Sequence, residues 1–433
     1  MRCNRLCERR MKMEKYLIKG GYSLYGEVTI SGAKNSSLPI LAATLMTDTQ
    51  TILHNCPNLS DVKATINILK HLGCKVTREK EDITVFAKDA DTFEIPDKMM
   101  REMRSSIIFL GAVLTRFKNA KMSLPGGCEL GPRPIDIHLD ALKKMGVVTK
   151  LSHGTLECSA PNGIHAEKIH LPFPSVGATE NVLLAASCAK GTTFLSNAAR
   201  EPEIVDLANF LRSCGAKIRG DGTDSIIIEG TQKLNGCEHT ILPDRIEAAT
   251  FMACGAITGS ELLINNANPE DMKATLDFFS QSGCKIKVYD KNKMLVTSPK
   301  RLRRVKKVMT MPYPGFPTDV QAIAMATSTV AIGNSIFVEN IFENRFRHVG
   351  ELLRMGANIK TQGKIAVVEG VNSLHSALVE STDLRGGAAL VIAALRAEGT
   401  SEITHIHHID RGYSDFSDKL QKIGVKIKRC EYE

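Results

Sequence analysis

Ile68-Leu-Lys-His-Leu-Gly-Cys-Lys-Val76 (ILKHLGCKV) reads as the last turn of a helix, a glycine, and the start of a strand. Glycine lacks a Cβ, so Gly73 suits the left-handed backbone that closes a helix. The pattern recurs as ALKKMGVVT around Gly146, FLRSCGAKI around Gly215, FFSQSGCKI around Gly283, LLRMGANIK around Gly356 and KLQKIGVKI around Gly424. Successive glycines lie 73, 69, 68, 73 and 68 residues apart. The residue after each is Cys, Val or Ala, a small apolar slot, so Cys74 and Cys284 read as core residues.

Upstream of each glycine helix lies a short strand (TTFLSN, ELLINN, SIFVEN, SEITHI). Ahead of that strand lies an apolar helix: SSLPILAATLM, RSSIIFLGAVL, GATENVLLAAS, RIEAATFMACG, TDVQAIAMATS and LRGGAALVIAA. Each unit therefore reads helix, strand, helix, two strands, with one more strand leading into the next unit. Six such units exceed the usual solenoid period. With 433 residues the chain is expected to divide into two domains of about 200 residues, three units each, in an α/β fold.

Hydrophobic content of 43% and charge of 24% are globular values. No apolar run reaches the roughly 18 residues a membrane helix needs, and Ala388–Leu395 reads as a buried helix. Residues 1–12 carry five positive charges and one negative, about half of the net +9, with no apolar segment following. They are expected to be a loose tail or alternative start ahead of Met13, not a secretory signal. The remaining positive excess is mild, and no basic run with interleaved aromatics suggests nucleic acid. Twelve cysteines without a CxxC pair fit reduced thiols and a cytoplasmic location.

The starts of the apolar helices carry the informative charges. They read Ser31-Gly-Ala-Lys34-Asn35, Met103-Arg104-Ser-Ser, Ser175-Val-Gly-Ala-Thr179, Leu242-Pro-Asp-Arg245, Phe316-Pro-Thr-Asp319 and Thr382-Asp-Leu-Arg385. A helix N-terminus disfavours cations, yet four of the six carry Lys or Arg, which calls for an anion nearby. Arg133, Arg345 and Arg411 stand at entries to second helices. If the units bring these positions together, a cleft crowded with cations results, suited to phosphate and carboxylate groups. The loop LPGGCELGPRP, residues 124–134, hangs Cys128 on a Gly/Pro-rich segment where a structural thiol is out of place.

The segments SGAKNSSLPIL, MRSSI, LPGGCELGPRPIDIHL, SVGAT, AAREPEIVDLANFL, LPDRIEAATF, FPTDVQ, FENRF, STDLRGGAALV and HIDRGY, in this order, are together similar to one family. They resemble the UDP-N-acetylglucosamine enolpyruvyl transferases, within the superfamily that includes EPSP synthase, from about Met13 to the C-terminus. The resemblance implies two inverse α/β-barrel-like domains of three βαβαββ repeats each. Residues 34–242 would form one domain, and 13–33 with 243–433 the other. It implies transfer of the enolpyruvyl group of phosphoenolpyruvate to the 3′-hydroxyl of UDP-N-acetylglucosamine, releasing phosphate, in peptidoglycan synthesis. No cofactor and no metal are implied.

By family position, Cys128 would be the general acid and the target of fosfomycin. A thiol of ordinary pKa, about 8.5, is mostly protonated at neutral pH, while Arg133 would favour the thiolate. Asp319 matches the base for the attacking hydroxyl; read from the residues alone it is a helix N-cap. Lys34, Arg133 and Arg411 would hold the phosphate of phosphoenolpyruvate, with Arg345 and Arg385 on its carboxylate. Asn35, Arg104, Arg133, Pro134, Ile135, Asp136, Ile137, Ser175, Val176, Gly177 and Ile341 would line the sugar nucleotide, with His138 and Arg245 near the site. Phe173-Pro174 departs from a pattern in which some members place a lysine before the serine.

His405-Ile-His407-His408 offers two histidines on one face of an expected strand, without the further ligands a metal site needs. His408 reads instead as part of the entry that positions Arg411. Three rival functions are weighed. Enolpyruvyl transfer to shikimate 3-phosphate shares the repeats but not the cysteine loop. A non-catalytic sugar-nucleotide binder would lack Cys128, Asp319 or an arginine. An RNA-processing cyclase would show a nucleotidyl-accepting histidine motif and a more basic surface.

Overall fold

The computed structural model describes residues 13–103, 105–124 and 135–432. All six repeat glycines adopt positive φ, from 85° at Gly356 to 106° at Gly215. The residue after each donates its N–H back to the helix, as Cys74 to Leu69 at 3.0 Å and Ala216 to Leu211 at 2.9 Å. Free carbonyls at the helix end are thereby satisfied. The six following residues, Cys74, Val147, Ala216, Cys284, Ala357 and Val425, are all buried, as the small apolar slot requires.

Six four-stranded sheets result among the described residues. Lys168–His170, Thr192–Ser196, Lys217–Arg219 and Ser225–Glu229 show the pattern. The first two strands pair in parallel across the helix Val176–Ala186, and the last two complete the sheet antiparallel. The unit is thus βαβαββ, and the leading strand belongs to the unit it precedes.

Three strands depart from this simple order. Glu27–Thr29 precedes the helix Lys34–Thr44 in sequence but pairs with Glu261–Asn265 of the fourth unit. Glu238–Thr240 precedes the helix Arg245–Thr258 but pairs with Thr51–His54 of the first. The sixth unit does not supply the two strands expected after Gly424. Its strand Lys426–Tyr432 pairs with Met13–Lys19 from the other end of the chain.

Two hydrophobic clusters follow. One is built from residues between Leu38 and Ile241. The other joins Tyr16–Ile30 to residues from Ile246 to Ile427. In the second, the helices Arg245–Thr258, Thr318–Ser328 and Leu384–Arg396 pack on one another and are buried on nearly every side. That is why their sequences are apolar all round, whereas second helices such as Ser60–His71 keep a polar face. No helix among the described residues is long and apolar enough to cross a membrane. All nine cysteines among them are free thiols.

Candidate active site

The chain passes between the two clusters twice, and the passages pair. Ala33 N–H donates to Leu242 at 2.7 Å, and Asp244 N–H donates to Ser31 at 2.9 Å. A Cβ on Gly32 would sit 1.8 Å from the Asn55 carbonyl oxygen, so only glycine fits there. Buried carboxylates fix both sides of the crossing. Glu247 accepts from Ser31 N–H and from Lys419 Nζ, both at 2.7 Å. Asp206 accepts from the Ser36 hydroxyl and pairs with His239 at 3.0 Å. The crossing brings the first residues of two helices, Lys34 and Arg245, to the seam between the lobes.

Lys34 meets an anion from its own chain. Its Nζ lies 2.7 Å from Asp61 Oδ2. Arg411, from the other lobe, binds the same carboxylate through Nε at 2.9 Å and Nη2 at 3.1 Å. Burial would raise the Asp61 carboxyl, but Lys34 and Arg411 outweigh it and hold it below the usual range. Burial lowers the Lys34 ammonium; Asp61 opposes the shift, and Arg411 adds to it.

Asp319 anchors a second group. Pro317 holds the N-cap position of the helix Thr318–Ser328, so Asp319 lies inside the first turn and the capping role is not observed. Its carboxylate turns instead to arginines. Arg345 Nη2 donates to Oδ1 at 3.0 Å, while Nε and Nη2 also bind the Thr318 carbonyl at 3.2 and 2.9 Å. Arg385 Nη2 stands 3.6 Å from Oδ2, and Asn35 Nδ2 reaches Oδ2 at 3.5 Å from the opposite lobe.

Glu339 braces this segment, accepting from the hydroxyls of Thr310 and Thr318 and from Ile341 and Phe342 N–H. Arg385 lies over the Tyr413 ring at 5.3 Å. Its Nε and Nη1 are buried without a hydrogen-bond partner among the described residues. Burial would raise the Asp319 carboxyl, yet Arg385, Arg345, Lys34 and Arg245 hold it well below the carboxylate range. The expected crowd of cations is therefore real, but carboxylates of the chain already partner it.

The remaining positions lie on the first lobe. Ser175 caps the helix Val176–Ala186 by accepting from Ala178 N–H. Gly177 lets His138 approach, since a Cβ there would lie 2.8 Å from the ring. Asn181 Oδ1 accepts from Gly111 N–H, so its amide N–H₂ faces His138 Nδ1 at 2.9 Å. A neutral imidazole then carries its proton on Nε2. Burial pushes His138 down to about 4, which keeps it neutral. On the helix Val176–Ala186, burial together with Glu203 and Glu201 pushes Glu180 up to about 8. Glu203 holds Arg245 with two hydrogen bonds, at 3.0 and 3.2 Å.

Lys34, Asn35, Arg245, Asp319, Arg345, Arg385 and Arg411 thus come together at the seam. His138, Ser175, Val176 and Gly177 form a neighbouring patch. Ile135 precedes the helix Asp136–Lys144, which also carries Ile137, and Ile341 follows Glu339. Cys128, Arg104, Arg133 and Pro134 lie outside the described residues. The strand expected to align His405 with His407 ends at Thr404. His405 is left-handed, and Ile406–Arg411 is a 3-10 turn that delivers Arg411 to Asp61.

Asp61, Glu180, Glu203, Glu339 and Tyr413 escaped the sequence reading. Asp61 and Glu203 left a local trace there, each as a carboxylate in a helix's first turn.

Residues 18–420 match the family model of EPSP synthase (3-phosphoshikimate 1-carboxyvinyltransferase). UDP-N-acetylglucosamine 1-carboxyvinyltransferase 2 of Caldanaerobacter subterraneus subsp. tengcongensis is 48% identical, covering 96% of this chain and all of that protein. UDP-N-acetylglucosamine 1-carboxyvinyltransferase of Finegoldia magna is 46% identical, covering 97% of this chain and all of that one. Among solved structures, the enolpyruvyl transferase NikO from Streptomyces tendae superposes with a TM-score of 0.89 at 24% identity, covering 98% of this chain and 100% of that chain. An EPSP synthase from Acinetobacter baumannii gives 0.74 at 18%, covering 96% and 100%. At these identities the two structures establish the fold.

Proposed function

The chain belongs to the EPSP synthase family, and we propose from this that it is an enolpyruvyl transferase whose acceptor is the 3′-hydroxyl of UDP-N-acetylglucosamine. It transfers the enolpyruvyl group of phosphoenolpyruvate to that hydroxyl and releases inorganic phosphate, in peptidoglycan synthesis. The observation that carries the choice of acceptor is identity of 46–48% over essentially the whole chain to relatives of that name. Shikimate 3-phosphate, the acceptor of the wider family, is the second reading.

We assign the residues as follows. Lys34, Arg133 and Arg411 take the phosphate of phosphoenolpyruvate, and Arg345 and Arg385 its carboxylate. Asn35, Arg104, Arg133 through Ile137, Ser175 through Gly177 and Ile341 line the sugar nucleotide, with His138 and Arg245 near the site. Cys128 gives a proton to C3 as the acceptor oxygen attacks C2, and fosfomycin alkylates the same thiol. Loss of a C3 proton and of phosphate from the tetrahedral intermediate restores the double bond. Residues 34–242 act as one domain, and 13–33 with 243–433 as the other, in the cytoplasm.

Asp319 serves as base for the hydroxyl, and its surroundings suggest how it becomes one. A carboxylate held so low by arginines is a weak proton acceptor. A substrate carboxylate that takes up the free Nε and Nη1 of Arg385 divides that cation's field between two anions. Asp319 then regains basicity when both substrates are in place.

The test is phosphate release from phosphoenolpyruvate with each acceptor, for the parent and Cys128→Ala. Release with UDP-N-acetylglucosamine alone, lost in the variant, is expected. Release with shikimate 3-phosphate alone would move the chain to the second reading.

A further inference from the structure

Between Asp290 and Asp319 the chain has no acidic residue, and at Lys300-Arg-Leu-Arg-Arg-Val-Lys-Lys-Val308 it carries six cations in eight positions. Residues 1–12 hold a net +4 and residues 300–307 a net +6, so the rest of the chain is close to neutral. The described surface thus concentrates its positive excess in one short segment.

That segment is held in place. Leu302, Val305 and Val308, every third residue, are buried, and Lys300, Arg301, Arg303, Arg304, Lys306 and Lys307 between them are all exposed. Backbone hydrogen bonds tie it to its neighbours: Arg303 N–H to Ser282, Arg304 N–H to Ile332, Ile332 N–H to Leu302 and Ile336 N–H to Lys306. The stem of Arg304 lies against Gly333, where a Cβ would come within 2.9 Å of it. None of the six makes an ion pair or a side-chain hydrogen bond among the described residues. Six like charges on a fixed backbone repel one another, and an external anionic surface relieves that beyond what salt screening does.

Aliphatic side chains border the charges. Lys307 pairs in register with Ile336, Arg303 bridges to Ile332, and Met309 follows two residues on. Ile332, Ile336 and Met309 are all exposed. No aromatic ring lies within residues 298–311 to stack on a base. Cations interleaved with exposed aliphatics suit an interface of phosphate headgroups and acyl chains. We propose that residues 300–309, with Ile332 and Ile336, dock this lobe peripherally onto an anionic phospholipid surface, without insertion of a helix.

Co-sedimentation of the full chain with vesicles tests this. Equimolar phosphatidylglycerol and phosphatidylcholine is set against phosphatidylcholine alone. The parent should bind only the anionic vesicles, and less in high salt. Each cation near such a surface is worth about fivefold in partition. The variant Lys300→Gln/Arg301→Gln/Lys306→Gln/Lys307→Gln should therefore lose about 600-fold. A control with the same change of net charge on the other lobe, Lys63→Gln/Lys98→Gln/Lys168→Gln/Lys190→Gln, should lose less than about tenfold. Equal phosphate release by the three proteins certifies folding. Equal loss in both variants, no binding by the parent, or binding of a single-stranded RNA oligonucleotide without vesicle binding would overturn the proposal.

Discussion

Two carboxylates at the seam are each gripped by two cations, yet they are not equivalent. Asp61 is 2% exposed and takes three short bonds from Lys34 and Arg411. Asp319 is 30% exposed, with one short bond from Arg345 and a looser approach by Arg385. The Asp61 group is closed as it stands: Lys34 and Arg411, assigned to the substrate phosphate, already face an internal anion. The Asp319 group keeps buried guanidinium N–H capacity unspent on Arg385. An unsatisfied buried donor costs about 1–3 kcal/mol, and a ligand carboxylate arriving there recovers it. The open group is where substrate binding gains most, and the closed group is where the lobes are fastened.

The largest effect should come from emptying the open group. Arg385→Ala removes the unspent donors and leaves Asp319 with Arg345. On the scale of a broken buried charge pair, kcat/KM for phosphoenolpyruvate should fall about 10³-fold. Steady-state kinetics should place the loss mainly in KM for phosphoenolpyruvate, with KM for the sugar nucleotide little changed. An equal rise in both KM values would mean that Arg385 supports the lobe and not the ligand. Asp319→Asn keeps the shape but not the base, so kcat should fall about 10²-fold with modest change in either KM.

Asp61→Asn attacks the closed group. Arg411 then loses the carboxylate that ties it across 350 residues of chain, and stability should fall by about 2–3 kcal/mol in urea unfolding. Lys34 and Arg411 are at the same time released from an internal anion, so inhibition by inorganic phosphate should tighten severalfold. Weaker phosphate inhibition would show instead that Asp61 orders the two cations for phosphate and does not compete with it.

The same contrast explains what could be read in advance. Six glycine-ended helices were legible because closing a helix is local chemistry, written within nine residues each time. The cations at helix starts were legible because a lysine at an N-terminus is a local anomaly. Partnership was not. Glu27–Thr29 and Glu238–Thr240 are three-residue strands whose sequences carry no sign of which unit they join. Asp61 and Glu203 look like ordinary helix-start acids until folding sets Arg411 and Arg245 against them. Asp319 was legible as a carboxylate worth noticing, but its geometry made it an arginine partner and not a cap.

The smallest effect concerns Glu180, buried beside Glu203 and Glu201 and gripped by no cation among the described residues. Its carboxyl, pushed up to about 8 from an ordinary 4.5, keeps its proton in the native state at neutral pH. The unfolded chain releases that proton, so the stability it lends is complete below pH 4.5 and declines as pH rises toward 8. His138 and His348, both held down to about 4 from 6.5 by burial, act in the opposite sense. Their stability is complete above pH 6.5 and is lost as pH falls toward 4. Glu180→Gln keeps the shape and has no proton to lose. It should exceed the parent at pH 8 and converge with it as pH falls toward 4.5. Urea midpoints at three pH values between those limits measure the convergence. A gain independent of pH would mean that the native carboxylate is ionised, and that an unseen cation closes this third group as Lys34 and Arg411 close the first.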